Sequence, residues 1–321
     1  MNIFTHDAFQ QALTFLVRQG SHIETEVARI RYPDIQYSQL IPIDTSAPDW
    51  TKSITYFSMD KVGQAAWFHH MATDMRLADV IREKHEATVE MAGIGYRYTL
   101  EEISQAMMIP GTNLTTERAE AARRAYEEFV DGVALTGDSS KNMLGLFNQT
   151  AVTQVDAAYS GTGSSPAWSD KTNVQVLTDI NNALTGIYTS TLTVEMADTV
   201  LLPIAAMTAL ATRQMDNTTM TILEWIKANN VYTSTTGQPL TIRAVRGLET
   251  AGENSTGRMI VYRRDPQVLK MHIPMPHRFL PVWQTGPITF DIPGIFRLGG
   301  VEVRRPSAIR YVDRILDSSY E

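Results

Sequence analysis

The sequence predicts an α+β chain, and three patterns carry that prediction. Residues 115–135 repeat apolar side chains at helical spacing, residues 172–268 alternate helical with strand-like passages, and residues 53–99 and 269–321 alternate apolar with polar residues as strands do. With 321 residues, 43% of them hydrophobic and 20% charged, the chain has material for about two folded units of roughly 150 residues each.

The elements follow in order. Residues 1–20 place Phe4, Ala8, Ala12, Phe15 and Leu16 close to helical spacing, which predicts a short amphipathic helix ending near Gly20. Between Tyr32 and Trp50, prolines at 33, 42 and 48 forbid a continuous helix and favour extended chain. Such a segment buries its apolar groups only by lying across another surface, so residues 1–52 are expected to form an N-terminal arm. Residues 53–99 hold two β-like runs, KSITYFSMD and HEATVEMAGIGYRYT, in which Val89 and Met91, then Tyr96 and Tyr98, alternate with polar neighbours. An isolated two-stranded hairpin is marginal in water, so this one is expected to lean on a neighbouring chain. The expected intersubunit contacts are Phe4, Phe15, Tyr32, Tyr37 and Trp50 in the arm. Trp67 and Phe68 join them from the hairpin.

The clearest helix follows NLTT. Thr115 can cap it, Glu117 puts a negative charge in the first turn where the helix dipole favours one, and Gly137 provides a stop. Ala119, Ala122, Tyr126, Phe129, Val130 and Val133 form one apolar stripe. Glu120 with Arg124, and Arg123 with Glu127, are expected to pair on the other face for about 0.2–0.5 kcal/mol each. The result is a stiff, one-sided helix about 30 Å long at 1.5 Å per residue. It belongs to a unit spanning 100–171, closed by the small-residue passage 155–170, VDAAYSGTGSSPAWSD, which is expected to separate two units. Beyond it, 174–187 and 205–215 read as helices around the buried strand in MADTVLLP. TMTILEWIKANN then leads into the strands PLTIRAVRG and GRMIVYRR. The closing stretch, PITFDIPGIFRLGGVEVRRPSAIRYVD, reads as strands about a turn at Gly299-Gly300.

Composition and motifs exclude more chemistry than they suggest. A net charge of −7 offers no basic excess for gripping a polyphosphate backbone, and Arg263-Arg264 and Arg304-Arg305 read as solvated strand ends. The lack of cysteine removes disulfides, thiolate metal sites and cysteine nucleophiles, and fits synthesis in a reducing compartment. The most apolar run, 200–211, contains Pro203 and falls short of the roughly 18 residues a membrane span needs. The N-terminus has no basic start or cleavage site, so cytoplasmic synthesis and no membrane partner are expected.

His69 and His70 are adjacent and cannot share a face, and His85-Glu86 has no second histidine four residues after the first. His272 and His277 flank the proline-rich IPMPHRFLP with no acid close in sequence to complete a catalytic set. The glycine-rich 161–165 lacks a phosphate-binding lysine, and no Gly-x-Ser-x-Gly elbow occurs. Glu101, Glu102, Glu127, Glu128 and Asp131 read as solvated helix charges, and Met107, Met108 and Met220 as core filling. No catalytic residue, cofactor or metal is predicted. A chain that invests in an arm, a hairpin and a one-sided helix, and not in a reactive site, is expected to self-assemble through interfaces of about 2,000 Å² or more.

The run LEEISQAMMIPGTNLTTERAEAARRAYEEFVDGVALTGDSSKNMLGLFN resembles the spine-helix segment of major capsid proteins of tailed double-stranded DNA bacteriophages with the HK97-like fold, a fold shared by encapsulin nanocompartments. The alanine-rich helix running into GD and then GLFN is the most specific part. EMADTVLLP, TTGQPLTIRAVRGLETAG, MHIPMPHRFLP and GIFRLGGVEVRRP resemble one group of these proteins, so the likeness spans nearly the whole chain.

The resemblance implies that 1–52 is the N-terminal arm, 53–99 the E-loop hairpin and 100–171 the peripheral domain with its spine helix. Residues 172–268 would be the axial domain, and 269–321 strands returning to the peripheral domain. It implies a shell of pentamers and hexamers, icosahedral, holding packaged double-stranded DNA by loose contact. It further implies a place in the virion, assembly in the bacterial host cytoplasm, and separate scaffolding and portal proteins, with decoration proteins where a shell carries them. An encapsulin-like compartment is the alternative. The arm is too short before the hairpin to hold the scaffolding segment that some relatives cut away, hence the separate scaffolding protein. Lys61 and Lys84 lie in the hairpin, but no motif marks the Asn and Glu partners of the isopeptide cross-link found in certain relatives, so that chemistry is not expected here.

Overall fold

Residues with apolar side chains on both faces of a strand demand cover on both sides, and the central sheet of this protein has it. The computed structural model describes residues 34–62, 79–102, 104 and 114–317, with their side chains apart from those of 60–62 and 114–116. In it, five strands lie in the order Thr153–Asp156, Ile309–Asp313, Met259–Tyr262, Thr199–Leu202 and Thr241–Ala244. The inner pairings are antiparallel and the two outer ones parallel.

Alternate residues point to two different cores. Val200, Leu202, Met259, Val261 and Val312 pack under the helix Asn173–Ser190, whose Val176, Ile180, Ala183, Leu184 and Ile187 supply the other half. Leu201, Ile260, Tyr262, Ile309 and Tyr311 face the opposite way, toward the long helix. The passage 155–170 therefore does not separate two units as expected. From Ile35 onward the chain is one compact unit. Ala157 N donates to Asp313 O at 2.9 Å, and Trp168 N to Ile315 O at 2.9 Å, so the passage is stitched to the chain's last strand. Two cores that share one sheet need no linker.

The long helix spans Leu114–Leu135, 22 residues. Its buried stripe is Ala122, Tyr126, Val130, Val133 and Ala134. Phe129, expected within that stripe, is 45% exposed. At about 100° per residue it sits roughly 60° round from Tyr126, at the stripe's margin, where it meets the edge of Phe296. On the outer face Arg124 pairs with Glu128 at 3.0 Å.

The helix end explains why GD and GLFN follow it. Gly137 adopts φ +78°, and a Cβ there would lie 2.3 Å from Met143 O. The chain folds back so that Leu146 N and Phe147 N donate to Ala134 O and Leu135 O at 2.8 and 2.9 Å. Asn148 Nδ2 reaches Thr136 O at 2.8 Å. The carbonyls a helix leaves unpaired at its end are thereby satisfied.

Over the long helix lies a four-stranded sheet in the order Met275–Phe279, Gly294–Gly299, Asp79–Gly93, Ser53–Val62. Phe296 faces the helix and packs edge-on against Tyr126, with ring centres 4.8 Å apart. The expected hairpin is present. Ser53–Val62 pairs antiparallel with 88 down to 79, while the root of the longer strand, Val89–Gly93, pairs with Ile295–Gly299. At about 3.3 Å per residue, the ten-residue strand makes a ribbon roughly 33 Å long.

Gly299-Gly300 is not a hairpin turn. Gly294–Gly299 pairs with the hairpin root and Val301–Val303 with Leu269–Met271, so the two glycines carry the chain from one sheet to another. A Cβ on Gly299 would come 3.3 Å from that of His272, which shows how closely the strands pass there.

Candidate assembly surfaces

The hairpin presents side chains that its own chain does not cover. Phe57, 65% exposed, and Met59 lie on one face opposite Lys84 and Arg82, and Val80 and Ile81 are also exposed near the far end. Two strands alone cannot bury both faces. The root, by contrast, is fixed, with Tyr56 stacked on His85 at 4.8 Å and the Arg304 guanidinium 4.7 Å from the Tyr56 ring.

The arm is fastened at two points. At the first, Asp131 of the long helix is buried and accepts from Gln36 N at 3.0 Å and Tyr37 N at 2.9 Å, capping the short helix Tyr37–Leu40. Arg246 Nη2 approaches its other oxygen at 3.2 Å, and Tyr37 Oη donates to Glu127 at 2.8 Å. Asp131 is thus a structural acceptor and not the solvated helix charge expected of it. Burial, then the neighbouring Glu127, push the Tyr37 phenol well above its ordinary value.

The second point joins Ile43–Asp44 in parallel to Met271 and His272. Lys270 hydrogen-bonds Asp44 and, with Ser46, holds its carboxyl well below the usual range. His272 stands between two acids, with Nδ1 3.6 Å from Asp44 and Nε2 2.5 Å from Glu302, which also accepts from Arg304 Nε at 2.5 Å. Burial pushes Glu302 up, but the His272 and Arg304 hydrogen bonds outweigh it and leave the acid below its ordinary value. The acids beside His272 come from positions 44 and 302, too far away in sequence to be seen as its partners. They close on each other inside the protein, with no nucleophile among them.

Of the expected intersubunit contacts, Tyr37 is buried against its own chain's long helix, and its contacts there are internal. Trp50 is 61% exposed where arm passes into hairpin. Phe4, Phe15, Tyr32, Trp67 and Phe68 lie outside the described residues. Met220, expected to fill the core, is 38% exposed. Among the exposed apolar residues that went unpredicted are two pairs. Leu192 and Val194 stand out from a loop pinned by Thr193 N to Tyr188 O at 2.8 Å, and Val282 and Trp283 lie at the start of the edge strand Trp283–Gln284. Their signal was faint: single apolar residues among threonines in one case and next to a proline in the other.

Among the described residues no group of three or more His, Cys, Asp or Glu could hold a metal ion. A protruding ribbon, an arm latched by buried charge and apolar points left in solvent define a structural subunit that completes its surfaces against other molecules. The model of the major capsid protein family matches residues 63–315, and the chain belongs to that family.

The solved structures it resembles agree in fold. The capsid of Myoviridae phage XM1 is 17% identical with a TM-score of 0.75, over 92% of this chain and 97% of that one. Mycobacterium phage Bobi gives 12% identity and a TM-score of 0.57, over 91% of this chain and 94% of that one. The capsid of an empty GTA particle gives 9% and 0.58, over 96% and 99%. No curated protein matches the chain. The fold is HK97-like, and the protein is a subunit of a capsid shell.

Proposed function

We propose that this chain forms an icosahedral phage capsid of pentamers and hexamers around packaged double-stranded DNA, and that it acts by assembly and not by catalysis. The observation that carries this is the hairpin, a ribbon about 33 Å long whose apolar side chains its own chain leaves uncovered. The two cores on either side of the central sheet support naming the long-helix side, 100–171 with 269–321, the peripheral domain, and the 172–268 side the axial domain. The arm, 1–52, and hairpin, 53–99, then serve as straps to neighbours, with Trp50 a contact. A net charge of −7 suits a container that touches its DNA loosely. Separate scaffolding and portal proteins, and synthesis in the host cytoplasm, complete the proposal.

Electron microscopy of the purified full chain tests it. Uniform closed shells are expected, and particles from infected cells should contain nuclease-protected DNA. A small monomer with no shells under any assembly condition would overturn it.

A further inference from the structure

Among the described residues, buried cations have acids beside them, with one exception. Arg258 meets Asp313 through two bonds of 2.6 and 2.8 Å, and Lys171 meets Asp179 at 2.6 Å. Arg297, only 9% exposed, meets no carboxylate among the described residues. Its Nη1 donates to Thr51 O at 2.7 Å, its Nε is buried with no acceptor, and its guanidinium lies 5.5 Å from the centre of the Trp50 ring. A ring face and one carbonyl return less than a buried, uncompensated charge costs, and buried polar atoms are normally paired.

The surroundings have the form of a seat. Arg297 projects from the sheet face turned away from the long helix, opposite its strand partner Met91, which is exposed. Trp50 overhangs it, and a second guanidinium, Arg278, lies 5.9 Å from the same ring while pairing with Asp49 at 2.8 Å. A cationic floor with a tryptophan and a methionine at its rim fits a carboxylate carried on an extended segment.

We propose that Arg297 is the seat for a carboxylate of a second copy of this chain, and that Glu83 of that copy's hairpin fills it. The proposal rests on the shell-forming role. Residues 79–84 are exposed throughout, which places this stretch of the described chain to reach a neighbour. Its other described acids are engaged: Asp79 with the backbone of Val80 at 2.7 Å, Glu86 with Lys84 at 3.4 Å, Glu90 with Lys141 at 3.6 Å. The Glu83 side chain is 71% exposed and, among the described residues, its one ion-pair approach is 3.9 Å, to His85.

The test uses the full chain and two variants, Arg297→Met and Glu83→Gln. Thermal melting is read on unassembled subunits, and the critical concentration for assembly on shells. Arg297→Met should melt no lower than the parent, because it removes an uncompensated charge, yet raise the critical concentration about tenfold or more, tenfold being about 1.4 kcal/mol. Glu83→Gln should raise it similarly with no change in melting, and the double variant should be no worse than either single one. A lowered subunit melting point for Arg297→Met with only proportionate loss of assembly would show a merely internal role and overturn the proposal. An unchanged critical concentration for Glu83→Gln, or additive effects in the double variant, would overturn it too. Parent protein that forms no shells would refute the shell-forming role itself, and the seat with it.

Discussion

Replacing Asp131 by alanine should detach the arm from the long helix. One oxygen of this carboxylate accepts from the amides of Gln36 and Tyr37 at 3.0 and 2.9 Å, and the second of those bonds is buried. Loss of a helix N-cap acceptor costs about 0.5–2 kcal/mol, and a buried amide left without an acceptor costs about 1–3 kcal/mol. The two penalties overlap, because one oxygen serves both, so the expected total is about 2–3 kcal/mol. The Arg246 contact adds little, since that side chain is half exposed. Asp131→Asn keeps the accepting oxygen and removes only charge, so it should cost about 1 kcal/mol or less.

Amide hydrogen exchange resolves this locally. Residues 36–41 should exchange faster in the alanine variant, while the central sheet, held by pairings of its own, keeps its protection. Equal losses for alanine and asparagine would refute the capping role. So would a uniform rise in exchange across the sheet with none specific to residues 36–41.

Four further outcomes follow from the same geometry. Phe129→Asp, at a half-exposed margin, should lower stability much less than Val130→Asp, which puts a charge where the side chain is fully buried; urea unfolding of both compares them. Gly137→Ala should cost about 2 kcal/mol or more, from the left-handed backbone and the close approach to Met143 O, read as a lower melting temperature. Asp44 and Glu302 have folded pKa values below their ordinary 3.8 and 4.5, so their contribution is complete above those ordinary values, begins to fade below them and is lost as pH falls through the lower folded values; arm release, followed by proteolysis at residues 34–46, should set in over that acid range. Burial pushes Tyr126 and Tyr311 up to about 12, so their contribution is complete below pH 10 and lost as pH rises from 10 to 12, which alkaline unfolding followed by tyrosine absorbance will show.

What the sequence made legible is what depends on neighbours in the chain. The long helix and the fully buried TVLL strand lie where the pattern puts them, but the hairpin's second strand begins at Asp79, ahead of the run read from His85, and Tyr96–Thr99 leaves it to pair with Thr289–Ile292 in another sheet. What it hid depends on partners far away. Asp131 looks like one more acid on a charged helix until residues 36 and 37 arrive from 95 and 94 positions off. His272 looks isolated until Glu302 comes from 30 positions on and Asp44 from the arm. The passage 155–170 looks like a linker because small residues and turns mark linkers, yet they also suit a chain that must run close beside the strand Ile309–Asp313. Phe129 was misplaced by a subtler margin, since spacing marks a stripe but not its width.

The shared central sheet also bears on how a shell can be strong. Because alternate residues of Thr199–Leu202, Met259–Tyr262 and Ile309–Asp313 serve both cores, a load applied on one side is carried by strands that anchor the other. The two halves of the folded body therefore cannot slide apart without breaking that sheet. The hairpin is different, because its outer pairing leaves Phe57, Met59, Val80 and Ile81 exposed while its inner part is clamped by Tyr56, His85 and Arg304. The arm is held at Asp131 and again at Asp44 by groups that are themselves buried or ion-paired. Stiff anchorage at the root with exposed side chains along the ribbon is the arrangement by which a strap would transmit force from a neighbour into the core.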